Sequence, residues 1–186
     1  MSRWQPEALP RLQKAALELF LEQGYEGTTV DQIAQRAGLT PRTFFRYFAD
    51  KKEVLFAGTE QFEVQVLEQV RLSPQADPLR RVCEAFEAVA AVYFDTRPDD
   101  VRRRRSIIES SAELQEREGQ KMTRIGTQVS RLLVEVGHPQ AVAQFAAHLG
   151  VLVFRLAFAQ WAEAGEGPLT ATIRSKREEL KSLSSG

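Results

Sequence analysis

Between Thr40 and Tyr47 the chain sets Thr40, Arg42, Thr43, Phe45, Arg46 and Tyr47 close together, with Thr29 upstream and Lys51 and Lys52 just downstream. Hydroxyls, guanidinium forks and aromatic rings without a nucleophile and base beside one another suit recognition better than catalysis. They are the groups that bond base edges and phosphate oxygens of duplex DNA. Thr40, Arg42, Thr43 and Arg46 are the candidates for a major groove, with Arg42 the best placed by chemistry to fork onto a guanine edge. Thr29, Tyr47 and Lys51 are the candidate phosphate contacts, and Arg3 is a candidate for an adjacent minor groove. Arg36, Arg42, Arg46, Lys51 and Lys52 form a local basic cluster in a chain whose 25 Lys and Arg balance its 25 Asp and Glu. A zero net charge argues against a protein that coats nucleic acid indiscriminately, and a local grip on phosphate does not require more.

These side chains need a scaffold, and TTVDQIAQRAGLTPRTFFRYFADKKE, residues 28–53, supplies one. Thr29 caps a helix whose apolar Val30, Ile33, Ala34 and Ala37 share a face. Gly38 ends it, Thr40 caps the next helix, and Pro41 occupies the first helical position, where a missing N–H costs nothing. Phe44 and Phe48, four residues apart, point inward and are predicted core, leaving the polar set on the rest of the surface. Two short helices joined by a Gly-containing turn predict a helix-turn-helix. Upstream, residues 6–23 carry Leu9, Leu12, Ala16, Leu19 and Phe20 at helical spacing and predict a bracing first helix. Downstream, Asp50 predicts a cap and Glu53 a capping-box partner for a fourth helix running to about Arg71.

The run G-L-T-P-R-T-F-F-R-Y-F-x-D-K-K-E-V-L, residues 38–55, resembles the signature of the TetR family of bacterial regulators, over about the first quarter of the chain. Phe45 stands where that family often has tyrosine. It would offer apolar contact, for instance to a thymine methyl, in place of a phenol on phosphate. The resemblance implies a homodimer on a palindromic double-stranded operator, its recognition helices about 34 Å apart. It further implies a larger helical domain that holds a small-molecule effector and releases DNA, as repressors do.

The remaining sequence is consistent with that architecture. With 186 residues and 43% hydrophobic content, the chain can bury a substantial core. Helical periodicity recurs over about residues 78–94, 98–115, 121–136, 140–164 and 169–183, and no long period-two alternation predicts a strand. The fold expected is all-α, with nine or ten helices: residues 1–52 a helix-turn-helix domain, residues 53–186 a ligand-binding and dimerisation domain. Lone Cys83 forms no intrachain disulfide, and His138 and His148 lack metal-ligand spacing, so neither metal nor cofactor is expected. No nucleophile elbow or phosphate-binding Gly loop is present, and Glu109 and Glu113 read as isolated carboxylates, so no enzyme is expected. No signal-peptide pattern opens the chain, which predicts a cytoplasmic protein.

Residues 141–162 are apolar on nearly every side, with Arg155 near the middle. Such a helix is expected to face its own core on one side and a second subunit on the other rather than a membrane. By the resemblance, residues 140–183 form the dimer interface, with Phe145, Leu149, Leu152, Leu156, Ile173 and Leu180 as its apolar contacts. Phe86, Val89, Tyr93, Ile107, Ile108, Met122, Ile125, Phe154, Phe158 and Trp161 are candidates to line an effector cavity, and packed core explains the same stripes equally well. Four successive arginines, Arg102–Arg105, point in four directions and read first as a solvated face paired to Asp99, Asp100 and Glu109. The segment RRRRSIIESSAELQERE, residues 102–118, is also similar to a TetR subgroup with an acyl-CoA-like ligand-binding domain, which would put Arg104 on an anionic ligand group. The competing reading of the whole chain is a helical protein-partner-binding module with a vestigial helix-turn-helix.

Overall fold

The computed structural model describes residues 8–184, so Arg3 and Pro6 lie outside the described residues. All regular structure among them is helical, in ten segments: α1 (Ala8–Gln23), α2 (Val30–Arg36), α3 (Pro41–Tyr47), α4 (Glu53–Phe56), α5 (Thr59–Leu72), α6 (Pro78–Tyr93), α7 (Pro98–Glu109), α8 (Ala112–Glu135), α9 (Gln140–Ala164) and α10 (Leu169–Ser184).

Two boundaries differ from the sequence expectation. The helix expected from Asp50 to Arg71 is broken: Ala57 leaves helical geometry with ψ 131° and Gly58 follows at φ +86°, a conformation open to glycine and costly for other residues. The gap expected after Gln115 falls earlier, at Ser110 and Ser111. The Ser110 hydroxyl donates to the Ile107 carbonyl at 2.8 Å, drawing the chain into a turn. The new helix then opens with the Gln115 N–H on the Ser111 carbonyl at 3.0 Å and runs unbroken through Gly119.

Packing divides the chain into two compact units, and the division is not the expected one between residues 52 and 53. Among the described residues, those up to Thr59 associate with 102–117 in the first unit, and residues 60–101 with 118–184 in the second. The first core gathers Leu12, Ala16, Leu19 and Phe20 of α1, Ile33 and Ala34 of α2, Phe44 of α3, and Val54, Leu55 and Phe56 of α4. Ile107, Ile108 and Leu114 complete it. The second core is built where α6, α9 and α10 pack together with α5 and the later turns of α8. Small residues on the inner face of α9, among them Ala143, Ala147, Gly150 and Ala157, admit the neighbouring helices closely. Phe86 and Phe154 stack at 4.6 Å between ring centroids, and Phe62, Phe94 and Phe158 pack around them.

Buried charge in the second unit is paired, as low-dielectric surroundings require. Glu63 takes Arg124 at 2.7 Å and the Gln128 amide, and Glu87 takes Arg174 at 2.7 Å and Arg177 at 3.2 Å. Among the described helices, α9 alone has the length and apolar composition of a membrane span. Its inner face is core, and Arg155 interrupts its exposed face.

Candidate nucleic-acid interface

The helix-turn-helix is fixed by local chemistry at each junction. Thr29 caps α2 by accepting the Gln32 N–H at 3.3 Å, while the Gln32 side chain takes the Thr29 N–H at 2.8 Å, a reciprocal capping box. At the other end Gly38 adopts φ +65°, its N–H reaching the Gln35 carbonyl at 2.9 Å and the Leu39 N–H the Ala34 carbonyl at 2.8 Å. This Schellman closure needs a residue that tolerates the left-handed region. Arg11 of α1 donates to the Ala37 carbonyl beside it. Thr40 then caps α3 through the Thr43 N–H at 3.2 Å, with Pro41 at the first helical position.

Helix α3 has one face of structure and one of chemistry. Phe44 is fully buried and Phe48 nearly so, their centroids 5.4 Å apart, an anchor of about 2–3 kcal/mol for a fully buried aromatic. Outward stand Thr40, Arg42, Phe45 and Arg46, with Thr43 and Tyr47 half-buried beside them. Phe45 is 57% exposed on a helix that buries its neighbour completely. The Thr40 and Thr43 hydroxyls lie 3.0 Å apart and bond one another. Arg46 lies over the Tyr47 ring at 5.0 Å and donates to its hydroxyl at 3.2 Å, which sets the phenol's direction.

The basic cluster is less available than its sequence implies. Arg36 is held by Glu22 through two bonds of 3.0 and 2.8 Å, and Glu18 lies 3.7 Å away. Lys51, expected on phosphate, turns inward. Its ammonium donates to the carbonyls of Tyr25 at 2.7 Å and Thr28 at 3.0 Å and sits 4.2 Å from the Tyr25 ring centroid. An ammonium that ties the α1–α2 loop in this way positions Thr29 instead of reaching outward. Lys52 is bonded to Glu113 at 2.8 Å, with Asp50 at 3.4 Å. Arg42 and Arg46 remain as the exposed cations of α3.

Sequence reasoning missed Glu113. Besides Lys52 it accepts the Tyr25 hydroxyl at 3.1 Å, and the Lys52 bond, then that of Tyr25, hold its carboxyl below the ordinary value. Burial, followed by the Glu113 bond, pushes the Tyr25 phenol up. Asp50 is not the N-cap of α4, a position Lys52 holds, but its carboxylate accepts the N–H groups of Lys52 and Glu53 at 3.0 and 3.1 Å in the turn that leads into the helix. Glu53 does not reach back as a capping-box partner; it pairs with Arg117 at 2.9 and 3.2 Å. Glu113 lies 61 residues from Lys52 and Arg117 lies 64 from Glu53, separations at which helical periodicity carries no signal.

The other candidate residues divide between the units. Phe86, Val89, Met122, Ile125, Phe154 and Trp161 do come together in the second core, with Tyr93 and Phe158 against it. Ile107 and Ile108 do not join them: they are core of the first unit. Arg104, expected on a ligand anion, donates to the Leu55 carbonyl at 2.7 Å and lies over the Phe56 ring, and Arg105 pairs with Glu109. On α9, Phe145, Leu152 and Leu156 are 72%, 46% and 50% exposed and Leu149 is half-buried. Ile173 is fully buried in its own subunit, so it is core and not interface, and Leu180 packs partly against that core. Cys83 is buried and its thiol pushed up to about 12, which keeps it a protonated hydrophobe. Among the described residues no group of three or more His, Cys, Asp or Glu is placed to hold a metal.

A capped, aromatic-anchored helix with an outward face of threonines, arginines and Phe45, following a shorter helix across a Gly turn, has the architecture of a helix-turn-helix. Residues 12–57 match the family model described as bacterial regulatory proteins, tetR family. Over that segment the chain is thus similar to the DNA-binding region of a family of transcription regulators. It is 45% identical over 80 residues to the HTH-type transcriptional regulator TcmR of Streptomyces glaucescens, covering 42% of this chain and 35% of that one. The aligned stretch thus spans about a third of that relative. Solved structures extend the likeness in fold to nearly the whole chain. A TetR-family regulator from Syntrophomonas wolfei superposes with TM-score 0.69 at 20% identity, covering 97% of this chain and 96% of the other. NalD of Pseudomonas aeruginosa gives 0.65 at 22% identity over 93% and 94%.

Proposed function

We propose that this chain is a dimeric, sequence-specific repressor that binds a palindromic operator in the cytoplasm and is released by a small apolar effector. The observation that carries the reading is the outward face of α3, where Thr40, Arg42, Phe45 and Arg46 stand exposed on a helix locked by Phe44 and Phe48. Arg42 reads a base edge, Phe45 packs on an apolar base edge such as a thymine methyl, and Thr29 and Tyr47 bond phosphates. Two copies join along α9, where Val142, Phe145, Leu149, Leu152 and Leu156 follow one another at steps of three and four, the spacing of a helix–helix seam. The effector enters the aromatic region of the second unit around Phe86, Phe154 and Phe158. The repressor assignment is supported by NalD, described as the secondary repressor of the MexAB-OprM multidrug efflux pump. Because Arg104 and Arg105 are engaged within the first unit, the arginine run is not part of the proposed effector site.

Selection of bound sequences from a random duplex pool tests this reading. The expected result is a palindrome with two half-sites. Arg42→Ala should then cost roughly 1–3 kcal/mol on that site and relax preference at one base pair per half-site. An equal loss on every sequence would make Arg42 a phosphate contact, and no enrichment by purified dimer would favour the protein-partner reading.

A further inference from the structure

Lys52 follows the recognition helix by five residues and belongs to the cluster whose charges suit phosphate, yet its ammonium is bonded by a carboxylate from a distant part of the chain. Glu113 is not delivered there by the ion pair itself. Its neighbour Leu114 is fully buried in the first core, together with Ile107 and Ile108, so apolar packing sets the segment in place and presents the carboxylate to Lys52. The pair is partly exposed, with side-chain accessibilities of 29% for Lys52 and 50% for Glu113. Such pairs contribute little to folding. Their effect on a polyanion is larger, because each cation brought to the duplex releases condensed counterions and each carboxylate near it opposes approach. Arg36 is occupied in the same manner by Glu22.

We propose that Glu113 is a specificity-determining residue that acts as a built-in competitor for DNA phosphate at Lys52, suppressing sequence-independent binding and leaving discrimination to Arg42 and Arg46. This rests on the DNA-binding reading above. A phosphate approaching the Lys52 ammonium competes with the Glu113 carboxylate at 2.8 Å, with Asp50 at 3.4 Å beside it, so random-sequence duplex gains little from this lysine. The second Glu113 oxygen, on the Tyr25 hydroxyl, keeps the carboxylate oriented when the first is challenged.

The test is the salt dependence of binding to a random-sequence duplex between about 50 and 200 mM salt, using the full-length chain. Glu113→Gln should steepen the log–log slope by about 0.9 for each reader unit engaged, an added affinity loss of roughly 3.5-fold across that range per unit. Binding at the low-salt end should tighten and the ratio of specific to random affinity should fall. Adding Lys52→Met to Glu113→Gln should restore the original slope. Tyr25→Phe, which leaves the Lys52 pair in place, should not steepen it. Lys52→Met alone provides an arm independent of Glu113→Gln folding: it should leave the wild-type slope unchanged, because the masked lysine does not touch phosphate. The proposal is overturned by an unchanged slope in folded Glu113→Gln, by steepening that persists in the double variant, or by a shallower slope in Lys52→Met alone. Failure of the wild type to shift any duplex at the low-salt end would overturn the DNA-binding reading as well.

Discussion

Gly150→Ala offers a quantitative test of how the second unit is packed. A Cβ built on Gly150 would lie 2.3 Å from Val82 Cγ1 and 2.9 Å from Val82 Cβ. Carbon atoms pack at about 3.5–4.0 Å, so the shortfall exceeds about 1 Å. Val82 cannot yield easily, since it is fully buried and β-branched side chains hold one rotamer in a helix. Helices α6 and α9 must therefore separate, an overpacking cost of roughly 1–3 kcal/mol. The higher helix propensity of alanine returns about 1 kcal/mol, leaving a net loss of up to about 2 kcal/mol. Gly126→Ala is the internal control. Its Cβ would meet Val151 and His148 at 3.6 to 3.8 Å, ordinary contact, so the propensity gain should appear unopposed at roughly 0.5–1 kcal/mol. Urea denaturation followed by circular dichroism gives both values. Val82→Ala combined with Gly150→Ala should recover much of the loss, with a coupling of about 1–3 kcal/mol between neighbours. A Gly150→Ala protein as stable as the Gly126→Ala protein would refute the close approach of α6 and α9.

Other perturbations separate structure from recognition. Phe44→Ala should cost about 3–5 kcal/mol and unfold the first unit in denaturant, whereas Phe45→Ala should stay within about 0.5 kcal/mol of wild type and weaken operator binding. Equal destabilisation of the two would contradict the two-faced helix. Because Glu113 has its carboxyl held below the ordinary 4.5, chiefly by Lys52, its contribution is present above the unfolded value and lost as pH falls through the lowered folded one. The difference in thermal midpoint between wild type and Glu113→Gln should thus be full at about pH 7 and shrink below about pH 4.5; a constant difference would show that the carboxylate charge plays no part. Phe145→Asp with Leu152→Asp should yield folded monomers in analytical ultracentrifugation with operator affinity sharply reduced, whereas dimers would move the seam away from α9.

The first unit was legible where its determinants are local. Thr29, Gly38, Thr40 and Pro41 act on backbone groups close to themselves in sequence, and Phe44 and Phe48 declare a face by spacing, so caps, turn and recognition helix can be read from a short window. The breaks at Gly58 and at Ser110–Ser111 were not legible, because glycine and serine occur within helices as well as at their ends. Here surrounding packing decides which. The same applies to Ile107, Ile108 and Leu114: their periodicity shows that they are buried but not in which core. Lys51 illustrates the limit most directly. A lysine just past the recognition helix suits a phosphate and suits a clamp on the Tyr25 and Thr28 carbonyls equally well, and only the folded path of the α1–α2 loop decides between them.

The last helices show why an apolar run can be read twice. On α9 the inner residues Ala143, Ala147, Gly150, Phe154, Ala157 and Trp161 are buried by this subunit, and the alternate positions Phe145, Leu152 and Leu156 are not. A helix that is apolar all round needs cover on both sides, and one subunit provides it on one. Helix α10 carries apolar residues as well, and the resemblance grouped Ile173 and Leu180 with the α9 stripe. Its spacing leaves a single apolar face, Ile173 fully occupies the subunit core, and Arg174, Glu178 and Glu179 face outward. That face is largely satisfied within the chain, and the exposed apolar side chain α10 keeps is Leu183 near its end. On the proposed dimeric reading, the demand for a second copy falls chiefly on α9, while α10 flanks it mostly with charge, so α9 would set the affinity of the dimer and α10 its choice of partner.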